Sequence, residues 1–251
     1  MHAKRSKNLS SSTDANINKS LLLTSLLSLA ISASVPVQAA SLLNVDFGAG
    51  PINASPKVGS AAVGQTGDFW NFYSRGNLPA DWQANGALIN LRQADFNLTS
   101  VGLTVIDARG AWGNGSLDPM YDSYLYPLPN GPNPLTITLT NLPVGKFDIY
   151  LYSQNGNYQL LSGGVNYGVR TSYDLGPNGT TPVWEQGVQY ALFQGVGVMN
   201  SGEPVTIVAR PGIGDVAQIA GLQVVFVPEP AVGSMVIGAL LLRIWQRRRR
   251  A

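Results

Sequence analysis

The sequence predicts an all-β fold for the central part of the chain, an antiparallel β-sandwich of jelly-roll type. Apolar and polar residues alternate along many short segments, and Gly, Pro and Asn separate these segments at short intervals. No long segment between the two ends of the chain has the apolar spacing of an amphipathic helix. Many short strands in one domain are typical of an antiparallel sandwich, and we expect one of jelly-roll type.

The first strand is predicted at residues 41–47, and the clearest alternation lies in residues 134–140 and 146–152. In each of the latter two segments every second residue is apolar, as expected of a strand with one buried face. The connecting residues 141–145 have the composition of a turn. We therefore predict that these two strands form a hairpin at the centre of the core.

Further strands are predicted where short apolar segments lie between turn residues, and one short helical turn is possible at 118–125. The tract 155–181, rich in Gly, Asn, Tyr and Ser, is interpreted as strands with wide loops. The predicted strands are 87–91, 100–107, 165–173, 188–198, 203–210 and 216–227.

The beginning of the chain has the pattern of a secretory signal peptide. Residues 1–20 are polar with four basic side chains, and residues 21–34 form an apolar core. Small residues at Val37 and Ala39 suit a signal peptidase. We expect cleavage after Ala39, which makes 1–39 the signal peptide and 40–226 the sandwich domain. A retained signal anchor is the alternative, and the short apolar core disfavours it.

The end of the chain, residues 227–251, has three parts. Pro228, Glu229 and Pro230 form a stiff, extended segment, because proline fixes φ and restricts the residue before it. An apolar segment at 231–245 follows, and as a helix it would cover roughly 22 Å of a hydrocarbon core about 30 Å thick. The basic tail then holds four consecutive arginines, which favour the cytoplasmic side. They are Arg247, Arg248, Arg249 and Arg250.

This order of Pro-Glu-Pro, short apolar helix and arginine cluster resembles the PEP-CTERM sorting signal of exported bacterial proteins. The resemblance implies that an exosortase-type enzyme is a partner and that residues 231–245 hold the precursor transiently in the inner membrane. It also implies that the body lies in the periplasm and then at the cell surface or in the extracellular matrix, in association with exopolysaccharide and biofilm. A plain single-span tail anchor with a chance Pro-Glu-Pro is the alternative.

Three segments of the body also resemble pieces of galactose-binding-like or malectin-like jelly rolls. They are residues 44–50, 142–152 and 219–225. The resemblance implies a sandwich whose loops bind carbohydrate, and it transfers no individual ligand residue.

The charge of the body differs from that of the whole chain. The chain has 16 Lys and Arg, 14 Asp and Glu and a net charge of +2. Nine of the basic residues lie in the leader and the tail, against one of the acidic residues, so residues 40–230 hold seven positive and thirteen negative side chains, a net charge of about −6. Nucleic-acid binding depends on clustered positive charge, so nucleic acid is not an expected partner.

The sequence lacks the residues that several kinds of catalysis require. The chain has no cysteine, and its one histidine, His2, lies in the predicted signal peptide. The mature domain therefore has no Ser-His-Asp triad, thiol nucleophile or His-ligated zinc. A pair of carboxylates, as in glycosidases, remains the catalytic alternative. The acids in or beside loops are Asp68, Asp81, Asp107, Asp118, Asp122 and Glu185.

Aromatic residues among Gly, Asn and Pro are the best candidates for a ligand surface. A flat ring covers the apolar C–H face of a sugar, while amide groups bond its hydroxyls. The same rings could instead close the ends of the core. The candidate glycan-binding residues are Trp70, Asn71, Tyr73, Trp82, Trp112, Asn114 and Trp184.

A calcium site is a further hypothesis for the loop-rich segment 107–122. Asp107, Asp118 and Asp122 offer the oxygen ligands that Ca²⁺ prefers. Their spacing is not that of an EF-hand, and Asp beside Gly or Pro is also an ordinary turn former.

These features together predict an exported, non-catalytic surface or matrix protein that binds exopolysaccharide through loop aromatics. A purely structural surface module and a carboxylate-dependent glycosidase or polysaccharide lyase are the alternatives.

Overall fold

A computed structural model of the chain describes residues 41–48, 56–73, 85–127, 133–176 and 179–228, and these residues belong to one compact unit. The described residues form thirteen strands and one short 3-10 helix at Ile213–Asp215. The strands are β1 (Leu42–Asp46), β2 (Asn71–Phe72), β3 (Gly86–Leu88), β4 (Gly102–Ile106), β5 (Gly110–Gly113), β6 (Ser123–Tyr126), β7 (Leu135–Thr140), β8 (Gly145–Tyr152), β9 (Asn155–Ser162), β10 (Val165–Tyr173), β11 (Tyr190–Val198), β12 (Val205–Arg210) and β13 (Gly221–Val227).

The strands form the predicted β-sandwich. The first sheet has the order β11-β8-β13-β1-β2, and the second has the order β10-β9-β12-β7-β4-β3. Neighbouring strands are antiparallel except β1 and β2, which are parallel. From β7 onward the chain passes repeatedly between the two sheets, as in a jelly roll. Strands β5 and β6 form a separate two-stranded ribbon.

The main core lies between the two sheets. The alternating apolar residues of β7 and β8 face it from opposite sides, and each such side chain contributes roughly 1.5–3 kcal/mol through its burial. They are Leu135, Ile137, Leu139, Phe147, Ile149 and Leu151.

The predicted hairpin of β7 and β8 is wrong, although both strands lie where the alternation placed them. β7 pairs with β4 and β12 in the second sheet, and β8 pairs with β11 and β13 in the first. The connection through residues 141–144 therefore crosses the edge of the sandwich. Asn141 begins it with a φ of 58°, the left-handed conformation that Asn tolerates. Alternation shows which face is buried but does not show which strand is the partner.

The tight hairpin lies instead between β9 and β10. Gly163 and Gly164 connect these strands with φ values of 53° and 78°. Two successive positive φ values are those of a type I′ turn, whose twist matches that of the flanking strands. This hairpin lies in the tract 155–181, for which we predicted strands with wide loops. The strands are present, but the turn between β9 and β10 is tight.

A second layer of side chains covers the outer face of the first sheet. Trp70, Met120, Tyr121, Tyr152 and Ala220 form a buried cluster distinct from the main core. We call this cluster the outer layer. Because Leu151 faces the main core, its neighbour Tyr152 points to the opposite side of the sheet.

A chain of hydrogen bonds pairs the buried amides of Asn44 and Gln223 beneath the outer layer. The Tyr152 hydroxyl donates to Gln223 Oε1, and Gln223 Nε2 donates to Asn44 Oδ1 over 2.8 Å. Asn44 Nδ2 in turn donates to the carbonyl of Phe69 over 2.9 Å. Buried amides cost little free energy when they are paired in this way. The network joins β1, β8 and β13 to the segment that precedes β2.

Several predicted features lie outside the described residues. These are the cleavage site at Ala39, Glu229 and Pro230, the apolar segment 231–245 and the arginines at 247–250. Pro228 is described, and it is exposed directly after β13. Among the residues that the structure describes, no helix is long and apolar enough to span a membrane.

Candidate functional site

The β5–β6 ribbon presents an aromatic face to solvent. Trp112 lies directly opposite Tyr124 in the antiparallel register, so the two side chains share a face of the ribbon. Tyr126 lies two residues further along β6 and therefore shares that face too. Its partner in the register is Gly110, which brings no side chain to this face. We call the surface formed by Trp112, Tyr124 and Tyr126 the aromatic face.

The aromatic face combines one exposed ring with two half-buried rings. Trp112 is 54% exposed, although tryptophan is usually well buried. Tyr124 and Tyr126 are half-buried, and their ring centroids lie 6.3 Å apart in an edge-to-face arrangement. Burial raises the pKa of the Tyr124 hydroxyl, against a smaller lowering by a hydrogen bond with Gln218. Tyr124 therefore stays a neutral phenol that can donate and accept hydrogen bonds.

The other face of the ribbon holds it against the body. Leu125 and Ser123 are buried there. The N–H of Leu125 donates to the carbonyl of Ile219 over 2.9 Å, and the N–H of Ile219 donates back over 3.0 Å. The Ser123 hydroxyl also donates to the carbonyl of Phe47, over 3.3 Å. The aromatic face therefore lies on a ribbon that hydrogen bonds hold against the body.

The chemistry of the aromatic face suits a sugar ring. Exposed indole and phenol rings cover the apolar C–H face of a pyranose, and phenol hydroxyls bond its hydroxyl groups. Gln218 adds an amide beside Tyr124, and its buried Oε1 has no hydrogen-bond partner. Arg109, exposed, and Asp107, half-buried, precede β5 and add polar groups at the start of the ribbon.

Comparison with known proteins shows only distant similarity. No protein-family model matches this sequence, and neither does any curated protein. The chain is similar to the crystal structure of protein YXIM from Bacillus subtilis, with 12% identity and a TM-score of 0.39 over 74% of this chain and 40% of that chain. It is also similar to an exo-β-1,3-galactanase from Phanerochaete chrysosporium, crystallised with galactose, with 18% identity and a TM-score of 0.24 over 55% of this chain and 32% of that chain. The chain thus spans less than half the length of either protein, and at these TM-scores the similarity says nothing about function.

Three of the predicted glycan-binding residues lie in the interior, so the structure contradicts a ligand-facing role for them. Trp70 is 1% exposed, and its indole N–H donates to the carbonyl of Gly59 over 2.8 Å. Tyr73 is equally buried and packs edge-to-face on Phe47 with ring centroids 5.7 Å apart. Asn71 is also buried.

The amide of Asn71 serves the backbone rather than a ligand. Its Nδ2 donates to the carbonyls of Asn44 and Arg92 over 2.9 and 2.7 Å, and its Oδ1 accepts from the N–H of Arg92 over 2.8 Å. Both donors of this buried side chain and one acceptor site are used by the backbone, so the amide is not available to a sugar.

The other predicted aromatic and amide residues have different surroundings. Trp184 is half-buried, and its ring packs edge-to-face on Tyr121 and Tyr152 with centroid distances of 5.6 and 5.0 Å. It therefore covers the outer layer. Asn114 is half-buried at the end of the ribbon, and its Oδ1 accepts from the N–H of Ser116 over 3.0 Å. Trp82 lies outside the described residues. The structure places only Trp112, with Asn114 two residues along the chain, at the aromatic face.

The proposed calcium ligands are not brought together. Within the described ranges, no three His, Cys, Asp or Glu residues are close enough to share a metal ion. Asp118 is buried and forms an ion pair with Lys57 instead. Asp107 lies at the turn between β4 and β5 with a φ of 58°. Burial raises the pKa of Asp122, whose carboxylate accepts from the backbone of Gly115. The structure thus contradicts a calcium site made of these three carboxylates.

Sequence reasoning missed two features. Tyr124 and Tyr126 were not recognised as ligand candidates, although their two-residue spacing indicates one face of a strand. A buried ionic cluster of Lys57, Asp118 and Asp46 beneath the outer layer was also missed. No sequence signal points to that cluster, because its members come from three distant segments.

Proposed function

We propose that this chain is an exported, non-catalytic surface or matrix protein that binds polysaccharide through the aromatic face. The observation that carries this proposal is the exposure of Trp112 on an anchored ribbon beside Tyr124 and Tyr126. Three aromatic side chains on one face of a ribbon suit a segment of a polymer chain.

The side-chain composition supports the proposal of a non-catalytic role. Residues 40–228 contain neither histidine nor cysteine. The nucleophiles and general bases that depend on imidazole or thiol are therefore absent from this part of the sequence. The carboxylate of Asp118 is paired with Lys57 in the interior.

The test of sugar binding is retardation of the protein in native gels that contain bacterial exopolysaccharides. We expect the wild-type protein to be retarded and Trp112→Ala to bind at least about tenfold more weakly, a loss of ~1.4 kcal/mol. Trp112→Phe should keep part of the affinity, because a phenyl ring still stacks on a sugar. Leu117→Ala is the matched control, since Leu117 is 66% exposed on the neighbouring loop.

A wild-type protein that no polysaccharide retards would contradict sugar binding. If the same protein self-associates, the purely structural alternative is supported. Activity on a polysaccharide panel that disappears when one acid is replaced would instead support a glycosidase or lyase.

The proposed export to the cell surface rests on residues other than those of the proposed sugar-binding face. The predicted signal peptide at 1–39 and the Pro-Glu-Pro segment at 228–230 support export, anchoring of residues 231–245 in the inner membrane and processing by an exosortase-type enzyme. We expect mass spectrometry of the protein from its native host to find a C-terminus near 228–230. A mature chain that still ends in Arg250 and Ala251 would contradict processing and indicate permanent anchoring.

A further inference from the structure

The buried ionic cluster joins three segments of the chain beneath the outer layer. Lys57 comes from the connection between β1 and β2, Asp118 from the loop between β5 and β6, and Asp46 from β1. Their exposed fractions are 5%, 7% and 0%. Lys57 Nζ contacts Asp118 Oδ2 directly as a buried ion pair. A pair of this kind has a large desolvation cost, which mutual attraction offsets only in part.

The two carboxylate oxygens of Asp118 have different hydrogen-bond partners. Its Oδ1 accepts from the N–H groups of Met120 and Tyr121 over 3.1 and 3.3 Å. Its Oδ2 faces the amine of Lys57. Two backbone N–H groups on one oxygen are the arrangement that stabilises negative charge when a nucleophile adds to a carboxyl carbon.

Asp46 supplies a third group to the cluster. Its Oδ2 accepts from the backbone N–H of Lys57 over 2.8 Å, while its Oδ1 is buried without a hydrogen-bond partner. Burial is the main cause that raises the pKa of Asp46 to about 7, and repulsion from Asp118 adds to it. The hydrogen bond from Lys57 and its positive charge oppose this rise. Below neutral pH Asp46 is therefore largely a neutral acid that can donate a proton, and near pH 7 a substantial protonated fraction remains.

We propose that Lys57 and Asp118 join through an intramolecular isopeptide bond, with Asp46 carrying the proton that the reaction moves. The proposal depends on the contact of amine and carboxylate, on their burial and on the neighbouring acid. It is independent of sugar binding and of export.

The reaction balances without a cofactor or oxidant. Transfer of one proton from Lys57 to Asp118 turns the ion pair into a neutral amine and a neutral acid. Nζ then attacks Cγ of Asp118, and the oxyanion forms on Oδ1 beside the N–H groups of Met120 and Tyr121. Protonated Asp46 donates its proton to the departing Oδ2, which leaves as water, and accepts one proton from Nζ in its place. The N–C bond forms, the C–O bond breaks, and an ammonium and a carboxylate become one neutral amide and one water.

The surroundings favour the amide over the ion pair. Lys57 Nζ lies 5.9 Å from the ring centre of Trp70 and 5.7 Å from that of Trp184. These rings exclude water, which would otherwise hydrolyse the bond. The amide also removes two buried charges from a site of low polarity. The fold holds amine and carboxyl in contact, which replaces a bimolecular encounter by a reaction within one molecule.

The bond would join the connection between β1 and β2, which contains Lys57, to the loop between β5 and β6, which contains Asp118. It links two residues that lie 61 positions apart in the sequence, so it restricts the unfolded chain as a disulfide does. The chain contains no cysteine. An isopeptide bond gives such a chain a covalent cross-link that reducing agents cannot break.

The test is peptide mapping of the purified full chain by mass spectrometry after denaturation. A cross-linked Lys57 resists trypsin, so we expect one branched peptide in which the segment ending at Arg75 is joined to residues 110–146. Its mass should equal the sum of the two peptides minus one water. Cleavage after Lys57, with a separate peptide 110–146 of full mass, would overturn the proposal and leave only an ion pair.

Three variants sharpen the test. Lys57→Arg keeps the positive charge but cannot form the bond, and its melting temperature should fall by on the order of 10 °C. Lys146→Arg is the matched control, because Lys146 is exposed on β8 and its replacement should change neither the branched peptide nor the melting temperature. Asp46→Asn should fold, as judged by circular dichroism, but lack the branched peptide. A branched peptide in folded Asp46→Asn would overturn the role of Asp46.

Discussion

Replacing Trp70 with alanine is expected to lower the free energy of unfolding by about 3–5 kcal/mol. The indole is buried in the outer layer, packs on Tyr152 with ring centroids 6.3 Å apart and donates a hydrogen bond to Gly59. Its removal leaves a cavity and an unpaired carbonyl, both of which destabilise a fold. Urea denaturation followed by circular dichroism measures the change without relying on tryptophan fluorescence.

Trp112→Ala is the control for this measurement, because it removes the same side chain from an exposed site. Trp112 is already 54% exposed to water, so the expected loss is below about 1 kcal/mol. Equal losses for the two variants, or a larger loss for Trp112→Ala, would contradict the assignment of Trp70 to the interior and of Trp112 to the surface.

Raising the pH is expected to destabilise the protein through Asp46. The pKa of this group is raised from 3.8 to about 7 in the folded protein, so the fold favours its protonated form. The stabilisation is fully present below the unfolded pKa near 4 and is lost as the pH rises through about 7. A difference of about 3 pKa units corresponds to at most ~4 kcal/mol. Urea midpoints at pH 5 and pH 8 measure it.

The contribution of Asp46 is isolated by comparing Lys57→Arg with Lys57→Arg/Asp46→Asn. Neither variant can form the proposed isopeptide bond, and both keep a positive charge beside Asp118, the other charged group that acts on Asp46. We expect the single variant to lose more stability than the double variant between pH 5 and pH 8. Parallel pH profiles for the two variants would contradict a raised pKa at Asp46.

The sandwich was predictable because it depends on short-range patterns. Alternation located β7 and β8 to within a few residues, because a strand with one buried face has a period of two. Short apolar segments between turn residues located β1, β4, β10, β11 and β12 to within a few residues. The partner of each strand was not predictable in the same way. β7 and β8 have a turn-like connection and matching patterns, yet they belong to different sheets. The ribbon was missed because its strands have four residues each and β5 contains two glycines.

The candidate site was predictable only in part. Trp70 and Trp112 both stand near Asn and Gly in the sequence, and nothing local distinguishes the buried ring from the exposed one. Their difference arises from tertiary structure, since Trp70 precedes a strand of the first sheet and Trp112 lies on the outer side of the ribbon. The contact between Lys57 and Asp118 likewise depends on how the β5–β6 loop folds back over β1.

The ionic cluster and the aromatic face are physically connected. Asp118 lies in the loop that joins β5 to β6, so its attachment to Lys57 fixes the ribbon that presents Trp112. Loss of this attachment would leave the ribbon held by its bonds to Ile219 and Phe47. The covalent form of the attachment would keep the aromatic face in place under conditions that weaken salt bridges.

The most direct measurement of sugar binding at the aromatic face is a nuclear magnetic resonance titration of the protein with fragments of a polysaccharide that retards it. We predict that the indole signal of Trp112 and the ring signals of Tyr124 and Tyr126 shift with saturation, while the indole signal of Trp70 does not. Saturable shifts elsewhere, with the signals of Trp112, Tyr124 and Tyr126 unchanged, would contradict it.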